Sequence, residues 1–166
     1  QGTGIGYVEK IVGELRDIRI ERDGRLLTPA LLLPLQAGDR VAICAPTSTE
    51  YIIVLFGLWR MKAVACPVSP YWPAKAVSEY LSRINASLLL TTVHIKSEMP
   101  GIGVRTLFLN EVVGFDARRD LHDAHETWKP DMEQEATVIA TSGSSGVPKP
   151  AVHAWSSHHY NALGSS

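Results

Sequence analysis

From Gly38 onward the sequence alternates short apolar runs with longer segments of helical spacing, and no other feature constrains the fold as tightly. Arg40 to Ala45 (RVAICA) reads as a strand. Thr47-Ser48-Thr49-Glu50 matches a capping box, with the Thr47 hydroxyl as the cap and Glu50 reaching back to it. A helix is therefore predicted from about Ser48 to Met61, with Ile52, Leu55, Phe56 and Trp59 on its apolar stripe. Val64 to Val68 is a second strand. Pro73 suits a first helical position, and Ala74 to Asn85 carries Val77, Leu81 and Ile84 at helical spacing. Ser87 to Thr92 and Arg105 to Leu109 read as the third and fourth strands. The order β-α-β-α-β predicts an α/β fold: a mainly parallel sheet with flanking helices. Tyr51, Phe56 and Trp59 are expected in the core, and Trp72, beside Pro70 and Pro73, on the surface.

The first thirty-eight residues form a separate segment of unclear packing, and 39–166 form the α/β unit. Glu9 to Ile20 is compatible with a short helix leading into a strand. Asp23-Gly24 reads as a hairpin turn between Ile18–Arg22 and Arg25–Thr28. Pro29 and Pro34 break the apolar stretch from Leu26 to Leu35.

Composition excludes several function classes. Sixteen basic residues against seventeen acidic ones leave a net charge of −1, which gives no support to a nucleic-acid binder. The longest apolar run, Tyr51 to Trp59, has nine residues. A bilayer span needs about 20, so no membrane span is expected. With no secretory leader, the expected location is the cytoplasm. Cys44 and Cys66 lie in apolar runs and read as buried thiols rather than a disulfide. The chain opens at Gln1 without Met and stops at Ser166 inside what reads as a new helix, so a piece of a longer protein is expected.

Ala136 to Ala140 (ATVIA) is a buried strand that leads into Thr141-Ser142-Gly143-Ser144-Ser145-Gly146-Val147-Pro148-Lys149. That segment has the chemistry of a phosphate loop. Two glycines permit a sharp turn that points several N–H groups at one oxyanion cluster. Four hydroxyls add donors, and Lys149 adds a cation whose approach Pro148 stiffens. It is not a Walker loop, which needs G-x-x-x-x-G-K-[ST]; no Ser or Thr follows Lys149. Ala151 to Trp155 also reads as another strand where a Walker loop opens a helix. A Ser/Gly-rich surface turn is the alternative reading of the segment.

The loop resembles the signature [ST]-[ST]-G-[ST]-[ST]-G-x-P-K-G of the adenylate-forming (AMP-binding) superfamily, which includes acyl-CoA synthetases, luciferases and peptide-synthetase adenylation domains. Gly38 to Tyr51 (GDRVAICAPTSTEY) resembles that family's G-D-R-V-A-I…N-S-x-E-Y segment, and Lys62 to Pro70 (KAVACPVSP) its G-A-V-x-x-P-x-x-P. The three segments run in the family's order. Pro150 departs from the pattern where most members have Gly. The interval between Leu27-Thr28 and Gly38 is shorter than the family's. Pro148 to His159 (PKPAVHAWSSHH) resembles the corresponding run of bacterial 2-succinylbenzoate–CoA ligases of menaquinone and phylloquinone biosynthesis.

The resemblance implies an acid–thiol ligase that binds ATP with Mg²⁺ and a small-molecule carboxylate. The carboxylate attacks the α-phosphate, pyrophosphate leaves, and coenzyme A thiolate then displaces AMP. On that reading Thr141, Ser142, Gly143, Ser144, Ser145, Gly146 and Lys149 bind the ATP phosphates, and His158 lines the substrate pocket. The family's adenine pocket, Mg²⁺-ligating Glu, ribose-binding Asp and C-terminal catalytic Lys have no counterpart here. These residues therefore form the first sub-domain of the family's large N-terminal domain, without a catalytic residue and inactive alone. Another adenylate-forming enzyme (a fatty-acid or aryl-CoA ligase, or a peptide-synthetase adenylation domain) stays open, as does a non-catalytic nucleotide-binding module.

Other motifs carry less. Asp120 to Glu126 (DLHDAHE) has donors for a metal, yet nothing completes a site, and a solvated loop is favoured. His153 reads as a packed strand residue, and Ser156-Ser157 as an N-cap pair for the final helix. Gly2 to Gly6 lacks the spacing and the preceding strand of a dinucleotide fingerprint. A sheet edge left unpaired is expected to favour self-association into a homo-oligomer.

Overall fold

The computed structural model describes Ile20–Arg22, Arg25–Leu27, 35–112, 130–141 and 148–164. The readings at Gly2–Gly6 and Asp120–Glu126, and the centre of the candidate loop from Ser142 to Val147, lie outside the described residues.

Strands β1 (Ile20–Arg22) and β2 (Arg25–Leu27) pair antiparallel, with Arg22 opposite Arg25 and Ile20 opposite Leu27, as the Asp23-Gly24 signal predicts. The remaining elements are β3 (Arg40–Cys44), α1 (Thr49–Arg60), β4 (Val64–Val68), α2 (Ala74–Arg83), β5 (Leu88–Thr91), α3 (Val93–Ser97), β6 (Thr106–Phe108), α4 (Leu109–Val112), β7 (Glu135–Thr141), β8 (Lys149–Ala154) and α5 (Trp155–Gly164). Six strands form one sheet in the order β6-β5-β3-β4-β7-β8. All its neighbours run parallel except β7 and β8, which form an antiparallel hairpin.

A parallel sheet must be covered on both faces, and residue alternation along each strand supplies two cores. Val41, Ile43, Ala65, Leu88 and Leu90 face α1 and α4, packing with Ile53, Val54, Leu58, Leu109 and Val112. Ala42, Cys44, Val64, Cys66 and Leu89 face the opposite layer, packing with Val77, Tyr80, Leu81, Ile84 and Ile95. Both cysteines are buried and free, and burial raises the Cys44 thiol to about 11 and Cys66 to about 12.

The helices differ from expectation in register. Ser48, not Thr47, caps α1, its hydroxyl accepting from the Tyr51 N–H at 3.2 Å. That shift leaves Glu50 in the first turn, too early to complete a capping box. The deepest residues of α1 are Ile53, Val54 and Leu58, while Ile52, Leu55, Phe56 and Trp59 are half-buried. The helix is apolar nearly all round, so spacing alone does not identify its deepest stripe. Trp72 is half-buried, packed edge-on against Tyr80 at 5.5 Å between ring centroids; Tyr71 is the exposed aromatic at 90%.

Two outcomes follow. Leu58→Ala removes a side chain exposed by only 1%, and chemical denaturation should show a loss of about 2–5 kcal/mol, against less than about 0.5 kcal/mol for the exposed Ser78→Ala. The raised thiols should leave Cys44 and Cys66 inert to iodoacetamide at pH 8 until the chain unfolds.

Candidate active site

Strand β7 ends at Thr141 on the same edge of the sheet as the carboxyl ends of β3, β4, β5 and β6, the edge where ligands bind in open α/β sheets. β8 begins at Lys149, directly opposite Thr141 in the antiparallel ladder. The ends of the Ser/Gly-rich segment are thereby brought together and mounted on a hairpin. The Thr141 hydroxyl donates to the Lys149 carbonyl at 3.1 Å. Its one proton is thus engaged in closing the stem. Lys149 is exposed at the mouth, and Arg83 at the end of α2 donates to the Pro148 carbonyl at 3.3 Å.

The root of the hairpin is fixed by longer reaches. Arg40 pairs with Glu135 at 2.9 Å, the Trp59 indole N–H donates to the Ala136 carbonyl at 2.8 Å, and Gln134 Nε2 donates to the Lys62 carbonyl at 2.8 Å. An aromatic and imidazole cluster lies beside it. Trp59 packs edge-on against Trp155 at 4.8 Å, and Trp155 against His158 at 5.9 Å. His158 Nε2 is hydrogen-bonded to Thr137 Oγ1 at 3.0 Å, and the His153 ring lies 6.0 Å from that of His158. Burial, and then the neighbouring His153, hold the His158 imidazole below its ordinary 6.5. His153 is half-buried in β8, as a packed strand residue should be.

Helix α5 starts at Trp155, so Ser156 and Ser157 lie in its first turn rather than at its cap. Backbone carbonyls replace the expected hydroxyls: Trp155 N–H bonds to Gln134 O at 3.1 Å and Ser156 N–H to Met132 O at 2.9 Å. The structure therefore gathers Thr141 and Lys149 at the mouth of the hairpin, and His158 on the helix packed against its root. Sequence reading did not find Thr137 or Arg83. Alternation along β7 puts Thr137 on one face with Thr141, a signal available in principle. Arg83 acts across sixty-five residues and leaves no local signal. A separate cleft past β3 and β5, between Ser48, Glu50, Thr92 and His94, is lined by none of the predicted site residues. Among the described residues no three metal-ligating side chains converge, and no helix is long and apolar enough to cross a membrane.

The profile of the family described as AMP-binding enzyme matches residues 19–166. The chain belongs to the AMP-binding enzyme family. It is 30% identical over 115 residues to a linear gramicidin synthase of Brevibacillus parabrevis, covering 69% of this chain and 1% of that protein. It is 29% identical over 168 residues to a long-chain-fatty-acid–AMP ligase of Mycolicibacterium smegmatis, covering 84% of this chain and 26% of that one. Among solved structures, the o-succinylbenzoate coenzyme A synthetase of Bacillus subtilis, in complex with AMP, superposes with a TM-score of 0.67 at 17% identity, over 96% of this chain and 44% of that one. The N-terminal subdomain of Klebsiella oxytoca NpsA gives 0.61 at 24% identity, over 89% and 40%. The chain spans less than half the length of each of these relatives.

The lowered His158 has a definite pH signature. The unfolded chain holds a proton on this imidazole more tightly than the folded one, so the contribution is present above about 6.5 and is lost as pH falls from there through the lower folded value. The ring-proton NMR titration of His158 should give a midpoint below 6.5. Replacement by Gln should reduce the loss of urea stability between pH 7.5 and pH 5.5.

Proposed function

We propose that these residues form the nucleotide-phosphate end of an ATP-dependent acid–CoA ligase, and that its acid is 2-succinylbenzoate. The observation that carries the reading is the hairpin: a T-S-G-S-S-G-V-P-K segment whose stem is closed at the carboxyl edge of the sheet, with Lys149 exposed at its mouth. Backbone N–H groups and hydroxyls from Ser142 to Gly146 cradle the β- and γ-phosphates, and Lys149 neutralises charge as pyrophosphate departs. The acid carboxylate bonds to the α-phosphorus as the bond from that phosphorus to the bridging oxygen breaks. Coenzyme A sulfur then attacks the acyl carbon and releases AMP. The protein's share of the first step is to hold two anions together and to offset their charge. Mg²⁺ would enter with the ATP phosphates, whose charge it would help to offset; among the described residues no group of three His, Cys, Asp or Glu side chains gathers to hold it. The machinery that reads adenine and ribose lies outside these residues, and the protein that contains 39–166 as one unit is proposed to act in the cytoplasm.

The choice of acid is supported by the resemblance of the Pro148–His159 run. A second reading, an amino-acid-activating domain of a peptide synthetase, is favoured by the 30% identity to the linear gramicidin synthase.

ATP–pyrophosphate exchange by the full-length protein separates these readings. Exchange that depends on 2-succinylbenzoate, followed by thioester formation with coenzyme A, is expected. Exchange driven by an amino acid, with no thioester to coenzyme A, would select the second reading. Lys149→Ala should lower kcat for pyrophosphate exchange by about a hundred- to a thousandfold, as loss of a charge-stabilising donor does.

A further inference from the structure

Two prolines bracket Lys149, and neither has a backbone N–H to donate. β8 is the outermost strand, with β7 as its only neighbour among the described strands. The end of an outermost strand, backed on one side only, should fray. Yet both peptide carbonyls beside Lys149 are held by side chains. Pro148 O accepts from Arg83 Nη1 at 3.3 Å, and Lys149 O accepts from the Thr141 hydroxyl at 3.1 Å. The Thr141 bond stays within the hairpin. The Arg83 bond crosses to α2, a helix anchored by buried Val77, Tyr80 and Leu81. Those three residues share one core cluster with Val138 of the same hairpin, so the guanidinium rests on a base the hairpin already touches.

The geometry points to Arg83 as a positioning residue for adenylation: it fixes the backbone from which Lys149 reaches the ATP phosphates, without touching the nucleotide. This rests on the reading of Lys149 given above. Holding a charged group on a fixed backbone lowers the ordering cost of its bond to phosphate, an effect that appears in nucleotide binding rather than in binding of the acid. A lysine at 83 keeps one donor and should restore part of the effect, whereas alanine keeps none.

The test uses the full-length protein with Arg83→Ala, Arg83→Lys, Lys149→Ala and the double alanine variant. Arg83→Ala should raise KM for ATP in pyrophosphate exchange about three- to tenfold, with KM for the acid unchanged. Arg83→Lys should recover part of this loss. Lys75→Ala, on the same helix and paired with Glu79 at 3.9 Å, should match the wild type. In the Lys149→Ala background, Arg83→Ala should add nothing, because the two residues act as one unit. Amide hydrogen exchange at Lys149, Ala151 and Val152 should quicken in Arg83→Ala whether or not pyrophosphate exchange is assayed. Unchanged hydrogen exchange, or an additive double variant, would overturn the positioning role. A Lys149→Ala protein that exchanges pyrophosphate like the wild type would instead remove the phosphate reading, and any catalytic part for Arg83 with it.

Discussion

The candidate site hangs on the junction between β4 and β7. Residues 69–134 separate these strands in sequence, and one Cα register pair, Ala65 with Thr137, marks where they meet. Three side-chain bonds fasten the start of β7 around that point: Arg40 to Glu135, the Trp59 indole to Ala136 O, and Gln134 to Lys62 O. They come from a strand start, a helix end and a turn, so the hairpin is held from several directions. The Arg40–Glu135 pair is partly exposed and worth little alone. The indole N–H is the more decisive contact, because its ring also packs against Trp155 and so links α1, β7 and α5. Without that junction the loop-bearing hairpin would have no fixed relation to the parallel sheet.

The α/β pattern was legible because each strand is a short apolar run bounded by turn residues and each helix carries a periodic stripe. Helix ends were less legible. Expected to run to Met61 and Asn85, α1 and α2 stop at Arg60 and Arg83. Both terminate through a left-handed residue, Lys62 with φ of 59° and Asn85 with φ of 52°. In each, the next N–H reaches back into the helix, Ala63 to Leu58 O and Ala86 to Leu81 O, which is the wrap-around closure that glycine usually announces. Asparagine gives half a signal for it and lysine gives none.

The loop was the strongest sequence signal because its chemistry is local: glycines, hydroxyls and a lysine within nine residues. The contacts that hold it are not local. Arg83, Trp59 and Gln134 sit 65 to 77 residues from their partners and look like ordinary helix and turn residues until the sheet order is known. His158 shows the intermediate case. Its position was marked by the run after the loop, but the lowering of its basicity comes from burial and His153, which the packing of α5 on the hairpin creates.

The prolines flanking Lys149 bear on more than ligand chemistry. A sheet that ends in an accessible strand invites a stranger's strand to continue its ladder, and exposed Ile139 and Val152 on the last hairpin would strengthen the invitation. Pro150 leaves a missing rung in that ladder, and the lysine beside it places a charge that a second copy would have to bury. Pro150 thus acts as a guard against edge-to-edge aggregation.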